Sequence, residues 1–260
     1  MRILFLIGII SLQLYNPQVS VMSKSNQFLN NSEEKSEVTI QSNTINEQTD
    51  VLKLELRLPT ISGLSDEAFQ DEINKGIVKQ ALLTKVKVMH MANEGEKLAD
   101  EQGREFIPYE LKVDYQVKNT HEILSFLVST YEYTGGAHGM TNTDYYNILI
   151  DENKTIKLSD LFKEGSNYKE VINTSILKQI KKQEAAGEGS YFHPNEAYVG
   201  DNAFQSISED QPFYIENGNL VVAFAQYEIA PGYMGQPTFS IPMESLQSIM
   251  KEKYQSLIVN

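Results

Sequence analysis

Residues 130–146 read TYEYTGGAHGMTNTDYY. The predicted fold of the whole chain depends on whether this stretch is a polar site or a turn. Gly135, Gly136 and Gly139 indicate backbone that needs a positive φ, or that passes too close to a neighbour for a Cβ. His138 lies among these glycines, and acidic and tyrosine side chains flank them. The stretch is therefore either a polar site or a tight turn between two strands.

Apolar and polar residues alternate on both sides of the glycines, which is typical of half-buried β-strands. Two alternating runs, Phe106–Val117 and Ile123–Tyr133, flank the short polar segment Lys118–Glu122 and predict an antiparallel hairpin. Another strand is predicted at Thr143–Ile150. The middle of the chain should therefore be a run of consecutive antiparallel strands.

A long helix is predicted upstream of these strands. Ser65 is a suitable N-cap residue, and apolar residues then recur at helical spacing at Phe69, Ile73, Ile77 and Ala81. The helix could run towards Leu98 with a break at Gly95, whereas the cluster from Val86 to Met89 could instead be a strand. Periodicity does not separate these two interpretations.

The C-terminal half combines a helix with a hairpin. Isoleucines at helical spacing predict a helix around residues 168–182, and Asn217-Gly218 is a strong hairpin signal between strands at 209–217 and 220–229. An irregular loop follows at Ala230–Gly235, then a strand at Thr238–Pro242 and a terminal helix at 245–254. The predicted fold class is α+β, an antiparallel sheet of hairpins or meanders packed by helices.

The N-terminus predicts export. Arg2 precedes an apolar run of the length found in signal peptides, so residues 1–23 are interpreted as a signal peptide or a short anchor. Residues 24–46 are polar and predict a disordered linker. A strand at Val51–Leu58, ended by Pro59, then opens an N-terminal α+β subdomain at 47–130, followed by a second subdomain at 131–260.

Composition excludes several classes of function. The net charge of −13 disfavours nucleic acid and anionic membrane surfaces and suits a cationic partner, so membrane attachment is expected only through an N-terminal anchor. The chain has no cysteine, and its four histidines lack zinc-ligand spacing, so neither a metal nor a cofactor is expected. Nucleotide-binding loops and serine-nucleophile elbows are also absent from the sequence.

A set of motifs occurs in a fixed order along the chain: Tyr131–Met140 with the glycine corner, Leu158–Phe162, Gln211–Tyr214, Tyr227–Pro231, Gly235 and Ile241-Pro242. This array resembles the extracellular region of anti-sigma factors of the RsiV type, and also the N-terminal half of peptidoglycan deacetylases of the PdaC type. The resemblance implies two adjoining extracellular subdomains of bacteria. In the RsiV type the region binds lysozyme, which makes lysozyme or peptidoglycan the expected partner.

The resemblance also sets expectations about what the chain does not do. The apolar run starts at residue 3, so no cytoplasmic anti-sigma segment is expected, and the deacetylase domain with its metal-binding motifs is not expected either. By analogy, the loop Ala230–Gly235 belongs to the surface that faces the ligand. The predicted binding residues are Pro231, Gly232, Tyr233 and Met234.

Two functional classes are left open. The favoured one is a secreted or cell-surface binding module without catalytic activity, in which the exposed ring of Tyr233 contacts a cationic protein or a cell-wall glycan. The alternative is a cell-wall hydrolase or deacetylase that uses His138 with Glu132 and Asp144. Turn geometry already accounts for the glycines, so Gly135, Gly136, His138 and Gly139 are interpreted first as a structural motif.

Overall fold

The computed structural model describes residues 37–194 and 203–258. These residues form an α+β structure with a six-stranded sheet, a three-stranded sheet and two α-helices, which confirms the predicted class. The predicted signal peptide or anchor at 1–23, and the first part of the predicted linker, lie outside the described residues. No helix in the described ranges is long and apolar enough to span a membrane.

The large sheet has its strands in chain order. Neighbouring strands run antiparallel at every step except between β2 and β3, which are parallel. The antiparallel sheet predicted from sequence thus includes one parallel pair, because the long helix between β2 and β3 returns the chain to the same end of the sheet. The strands are β1 Thr39–Gln48, β2 Leu52–Ser62, β3 Tyr109–Thr120, β4 Ile123–Tyr133, β5 Met140–Leu149 and β6 Lys154–Thr155.

Strand β1 corrects the predicted linker, because residues 39–46 belong to the sheet and pair with β2. Most β1 side chains are exposed, so the composition of this segment resembles that of a disordered chain. An edge strand is held mainly by backbone hydrogen bonds to one neighbour, and it does not need an apolar face of its own.

Strand β2 also extends further than predicted. Pro59 does not end it, since pairing with β1 continues to Ser62. Pairing with β3 stops at Leu56, so Pro59 lies where β2 has a single neighbour. Proline is tolerated at such a position because a strand with one neighbour forms hydrogen bonds through only some of its N–H groups.

Helix α1 spans Glu67–Glu101 without interruption, which excludes the strand interpretation of Val86–Met89. Its N-cap is Asp66, one residue after the predicted Ser65, and the Asp66 carboxylate accepts a hydrogen bond from Phe69 N at 3.0 Å. Gly95 does not break the helix. A Cβ at Gly95 would lie 2.7 Å from the Tyr109 hydroxyl, so this glycine allows β3 to approach closely.

The second layer consists of α2 and the small sheet of β7 Phe213–Glu216, β8 Asn219–Ala223 and β9 Thr238–Pro242. The predicted turn is confirmed, since Asn217 and Gly218 both have positive φ between β7 and β8. Helix α2 spans Tyr168–Ala185 and buries its isoleucines in a core shared with this sheet, as the spacing predicted.

Two C-terminal predictions are wrong. The strand predicted to reach Ile229 ends at Ala223, and the terminal segment forms 3₁₀ turns at Met243–Leu246 and Glu252–Ile258 in place of an α-helix. Between those turns Lys251 N donates to Leu161 O, and Ile249 O accepts from Lys163 N. Because these backbone groups bond outside the segment, they cannot take part in a continuous helix.

The two sheets are joined by a buried polar network. The Ser125 hydroxyl donates to Asn147 Oδ1 at 2.6 Å and accepts from Ile215 N at 3.2 Å, while Asn147 Nδ2 donates to Phe213 O at 2.8 Å. Ser125 and Asn147 therefore link β4 and β5 to β7. The predicted subdomain boundary at 130/131 falls within β4, and the division into two subdomains stays a prediction.

Candidate functional site

The glycine corner is the connection between β4 and β5. Gly135 and Gly136 have φ of 90° and 95°, a conformation that side-chain-bearing residues rarely adopt. Tyr133 closes the corner, since its hydroxyl donates to Gly136 O at 3.1 Å. The local geometry thus accounts for these two glycines without any ligand.

Gly139 is needed for a different reason. A Cβ at this position would lie 2.5 Å from the ring of Tyr131, so the tyrosine ring lies directly against the glycine backbone. Tyr131 is half-buried at this contact. The third glycine of the motif therefore reflects close packing and not a backbone conformation.

His138 connects the corner to a distant segment. Its Nδ1 lies 3.0 Å from Gly139 O, and its Nε2 lies 3.1 Å from the hydroxyl of Tyr227. The imidazole is exposed, and both of its nitrogens have partners. His138 thus joins two segments that are far apart in sequence.

The partner segment is the loop that contains the predicted binding residues. Gly232–Met234 form a 3₁₀ turn, and Tyr227 has a positive φ of 68°. A Cβ at Gly232 would lie 2.1 Å from Tyr227 Cζ, so the tyrosine ring covers the backbone of the turn. The same ring therefore contacts Gly232 and hydrogen-bonds to His138.

Two glutamines attach this loop to β5. Gln226 Oε1 accepts from Thr141 N at 3.3 Å, and Gln226 Nε2 donates to Gly232 O at 3.1 Å. Gln236 Nε2 donates to Thr141 O at 3.2 Å, and Gln236 Oε1 accepts from the Thr143 hydroxyl at 2.7 Å. The sequence gives no sign of this role for either glutamine, because nothing in the local pattern indicates partners so far away along the chain.

We call the combined surface of residues 134–140 and 225–236 the loop–corner surface. Tyr233 is 77% exposed there, and Tyr227 and Met140 are each 40% exposed. The other predicted binding residues, Pro231, Gly232 and Met234, are half-buried. The structure thus brings the glycine motif and the predicted binding loop together in one place.

The proposed catalytic residues are placed differently. The Glu132 carboxylate pairs with Lys87 of α1 at 2.8 Å, on the face of the sheet that α1 covers. Asp144 of β5 lies opposite Val128 of β4, and Glu132 is four residues further along β4, opposite Met140. At the usual rise per residue, Glu132 and Asp144 are therefore about 13 Å apart along the strands. His138 has its partners in Gly139 and Tyr227, and neither carboxylate is bonded to it.

Asp144 differs from the other acids of this region. Partial burial raises the pKa of its carboxyl, and no described cationic side chain forms an ion pair with it. Burial also raises the pKa of the neighbouring Tyr145 and Tyr146 to about 12. This part of β5 therefore favours neutral side chains.

Within residues 37–194 and 203–258, no group of three or more His, Asp or Glu side chains is arranged to hold a metal ion. The absence of a metal and of a cofactor stays a prediction from the sequence. The chemistry that the loop–corner surface offers is aromatic contact, together with hydrogen bonding through phenol, imidazole and backbone groups.

Comparisons with known proteins agree with this architecture. Residues 45–141 match the family described as deacetylase PdaC, and residues 159–244 match DUF3298, a family of proteins of unknown function. The chain carries this domain pair.

Two relatives from Bacillus subtilis (strain 168) share the pair. The anti-sigma-V factor RsiV is 29% identical over 212 residues, which cover 79% of this chain and 68% of RsiV. The peptidoglycan-N-acetylmuramic acid deacetylase PdaC is 28% identical over 148 residues, which cover 56% of this chain and 30% of the deacetylase. The name of the second relative describes an enzyme that acts on peptidoglycan.

Solved structures share the fold. A DUF3298 family member from Bacteroides fragilis superposes with a TM-score of 0.63 at 19% identity, covering 85% of this chain and 96% of that one. A second, from Pseudomonas aeruginosa, gives a TM-score of 0.56 at 16% identity with the same coverages. These similarities support the α+β assignment.

Proposed function

We propose that this chain is an exported, non-catalytic binding module of the bacterial cell surface, and that its loop–corner surface recognises a cationic protein of the lysozyme type. Export rests on the predicted signal peptide or anchor and on the relative that acts on peptidoglycan. The ligand class rests on the resemblance to the RsiV type. The geometry of the loop suggests which residues make the contact.

The observation that carries the proposal is the exposure of Tyr233 on a loop whose backbone is held in place. Tyr233 is 77% exposed, whereas Met234 packs against the core and Gly232 O is hydrogen-bonded to Gln226. A large aromatic ring on a preorganised turn loses little conformational entropy when it binds. Such residues often dominate the binding energy of protein interfaces.

Charge supports a cationic ligand. The chain carries a net charge of −13, which attracts a cationic protein over a distance of about one Debye length. Binding driven in part by this field should weaken as salt is added. The aromatic contact through Tyr233 should change much less with salt, because burial of apolar surface does not depend on charge.

The direct test measures the affinity of the purified chain for lysozyme by calorimetry, at low salt and at physiological salt. We expect binding that weakens with salt, and Tyr233→Ala should weaken it roughly ten-fold or more at both salt concentrations, because the ring is a central exposed anchor. Leu83→Ala is the matched control. Leu83 is 55% exposed on α1, outside the loop–corner surface, and its removal should leave the affinity unchanged.

Two results would contradict the proposal. The lysozyme version fails if no binding is detected at low salt, and the assignment of the surface fails if Tyr233→Ala binds lysozyme as well as the unaltered chain does. Retention on purified peptidoglycan without retention of lysozyme would make a cell-wall glycan the ligand instead.

A further inference from the structure

The outer edge of β5 is only partly covered. Strand β6 pairs with β5 at Ile148 and Leu149 and then ends. At the other end of β5, the side chains of Gln226 and Gln236 bond to Thr141. The edge between Thr141 and Asn147 has no neighbouring strand within the described residues.

The backbone groups that face this gap follow from the alternation of an antiparallel ladder. Thr141 N and O bond outward to the glutamines, and Asn147 O accepts outward from Ile156 N at 2.9 Å. Residues two apart on a strand direct their N–H and C=O to the same side, so Thr143 and Tyr145 also face outward. Among the described residues, none hydrogen-bonds to the backbone groups of these two.

A cavity of about 270 Å³ opens beside these groups. It is lined by Thr143, Asp144, Tyr145 and Asn147 together with residues 156–158 and 210–213. The free edge therefore forms part of the lining of a groove. This enclosure separates it from an ordinary solvent-exposed edge strand.

The carboxylates near this edge lie on different faces of the large sheet. Side chains alternate along β5, so that of Asp144 lies on the α1 face with those of Tyr146 and Ile148, whereas the cavity lies on the face of Tyr145 and Asn147. The Asp144 carboxyl has no ion-pair partner among the described residues, and partial burial raises its pKa. Asp210 lines the same cavity and pairs with Lys157 at 2.6 Å. An uncompensated, partly desolvated carboxylate beside free N–H and C=O groups suits an extended chain that brings a cation.

We propose that the outer edge of β5 binds an extended peptide segment bearing lysine or arginine, which adds as a strand at Thr143 and Tyr145 and places a cationic side chain beside Asp144. The open edge from Asn142 to Tyr146 is about 13 Å long at the usual strand rise, which accommodates a segment of about five residues. The backbone supplies the affinity, and Asp144 selects the charge. This site is distinct from Tyr233 and does not depend on the proposed lysozyme binding.

The test uses the full chain and the blocked peptide Val-Lys-Val-Lys-Val, with amide hydrogen exchange followed by NMR. In the free protein the amides of Thr143 and Tyr145 should exchange rapidly, because they have no acceptor. At saturating peptide both should become at least ten-fold more protected, since strand addition supplies acceptors. The amides of Asn142 and Asp144, which face β4, should not change.

Two matched variants separate charge from backbone recognition. Asp144→Asn should weaken peptide binding by about three- to ten-fold, as expected for the loss of one close charge pair. Asp50→Asn removes the same charge at the β1–β2 turn, at the opposite edge of the sheet, and should not change the affinity. A peptide N-methylated on the residues that pair with β5 should not bind.

The proposal is overturned if the peptide fails to bind, or if it binds without protecting Thr143 and Tyr145. Equal binding of the N-methylated peptide would overturn strand addition. Equal effects of Asp144→Asn and Asp50→Asn would overturn the role of Asp144, leaving only long-range attraction to an acidic protein.

Discussion

Single residues explain why the glycine motif and the tyrosine loop occur in the same chain. Tyr227 adopts a positive φ, covers Gly232 and reaches His138 with its hydroxyl. The sequence marks the glycines and the histidine as special, but it does not reveal that they meet. A contact between residues 89 positions apart leaves no periodic signal in either segment.

At the scale of single residues, Asp144→Asn tests whether the charge of Asp144 destabilises the folded protein. The folded pKa of Asp144 is raised, so the folded state favours the neutral acid, and stability is lost as pH rises from the unfolded pKa through the folded one. The amide stays neutral throughout. We therefore expect the variant to unfold at a higher temperature than the unaltered chain at pH 7, with the difference disappearing at pH 3.

Thermal unfolding followed by circular dichroism at the two pH values measures this difference. Asp50→Asn is the control, and we expect no such pH-dependent gain from it. A lower melting temperature for Asp144→Asn at pH 7 would mean that the carboxylate has a stabilising partner, contrary to the contacts described above.

At the scale of helices, strands and turns, local sequence patterns predict several elements correctly and fail where an element depends on a distant partner. The β3–β4 hairpin, α1 and the Asn217-Gly218 turn follow from local alternation, capping and turn chemistry, and the structure confirms them. Strand β1 was missed because its residues are polar and its stability comes from pairing with β2. The parallel pairing of β2 with β3 depends on where α1 returns the chain, which no single segment encodes.

Two glycines of α1 test how this helix is held. Gly76 has open space where a Cβ would be, so Gly76→Ala should stabilise the protein by about 0.5–1 kcal/mol through helix propensity. At Gly95 a Cβ would lie 2.7 Å from the Tyr109 hydroxyl and 3.1 Å from the Phe106 ring. Gly95→Ala should therefore destabilise by about 1–3 kcal/mol through overpacking.

Urea denaturation of both variants measures the free energy of unfolding. The two substitutions make the same chemical change on the same helix, so each is the control for the other. Equal stabilisation by both would show that α1 does not approach β3 as closely as the structure indicates.

At the scale of the whole molecule, the polar network of Ser125 and Asn147 connects two separate hydrophobic cores. One core lies between α1 and the large sheet, and the other lies around α2 and the small sheet. Sequence patterns predict a boundary between two subdomains at 130/131, whereas the two matched families divide the chain nearer to residue 150. Buried polar side chains of this kind cannot be distinguished from exposed ones by local pattern alone.

Ser125→Ala should weaken this connection. The substitution leaves Ile215 N–H and Asn147 Oδ1 without a partner inside the protein, which costs about 1–3 kcal/mol for a buried unsatisfied group. Ser129→Ala is the control, since Ser129 is on the same strand but half-exposed, with Thr143 as its hydroxyl partner.

Calorimetric unfolding of the two variants measures the difference, and we expect Ser129→Ala to cost less than Ser125→Ala. If Ser125→Ala cost no more than Ser129→Ala, the network would not contribute to the stability of the joined sheets.

The parallel pairing of β2 and β3 has a consequence for synthesis of the chain. Strands β3, β4 and β5 pair with the strands that follow them, so their contacts form over short loops. Strand β2 pairs with β3 only after the whole of α1 has been made, because Leu52 pairs with Tyr109. As the chain emerges from the ribosome, β1, β2 and α1 appear before their central partner. The backbone edge of Leu52 to Leu56 then stays unpaired and accessible to chaperones and proteases until β3 has been made, whereas the side chains already have α1 to pack against.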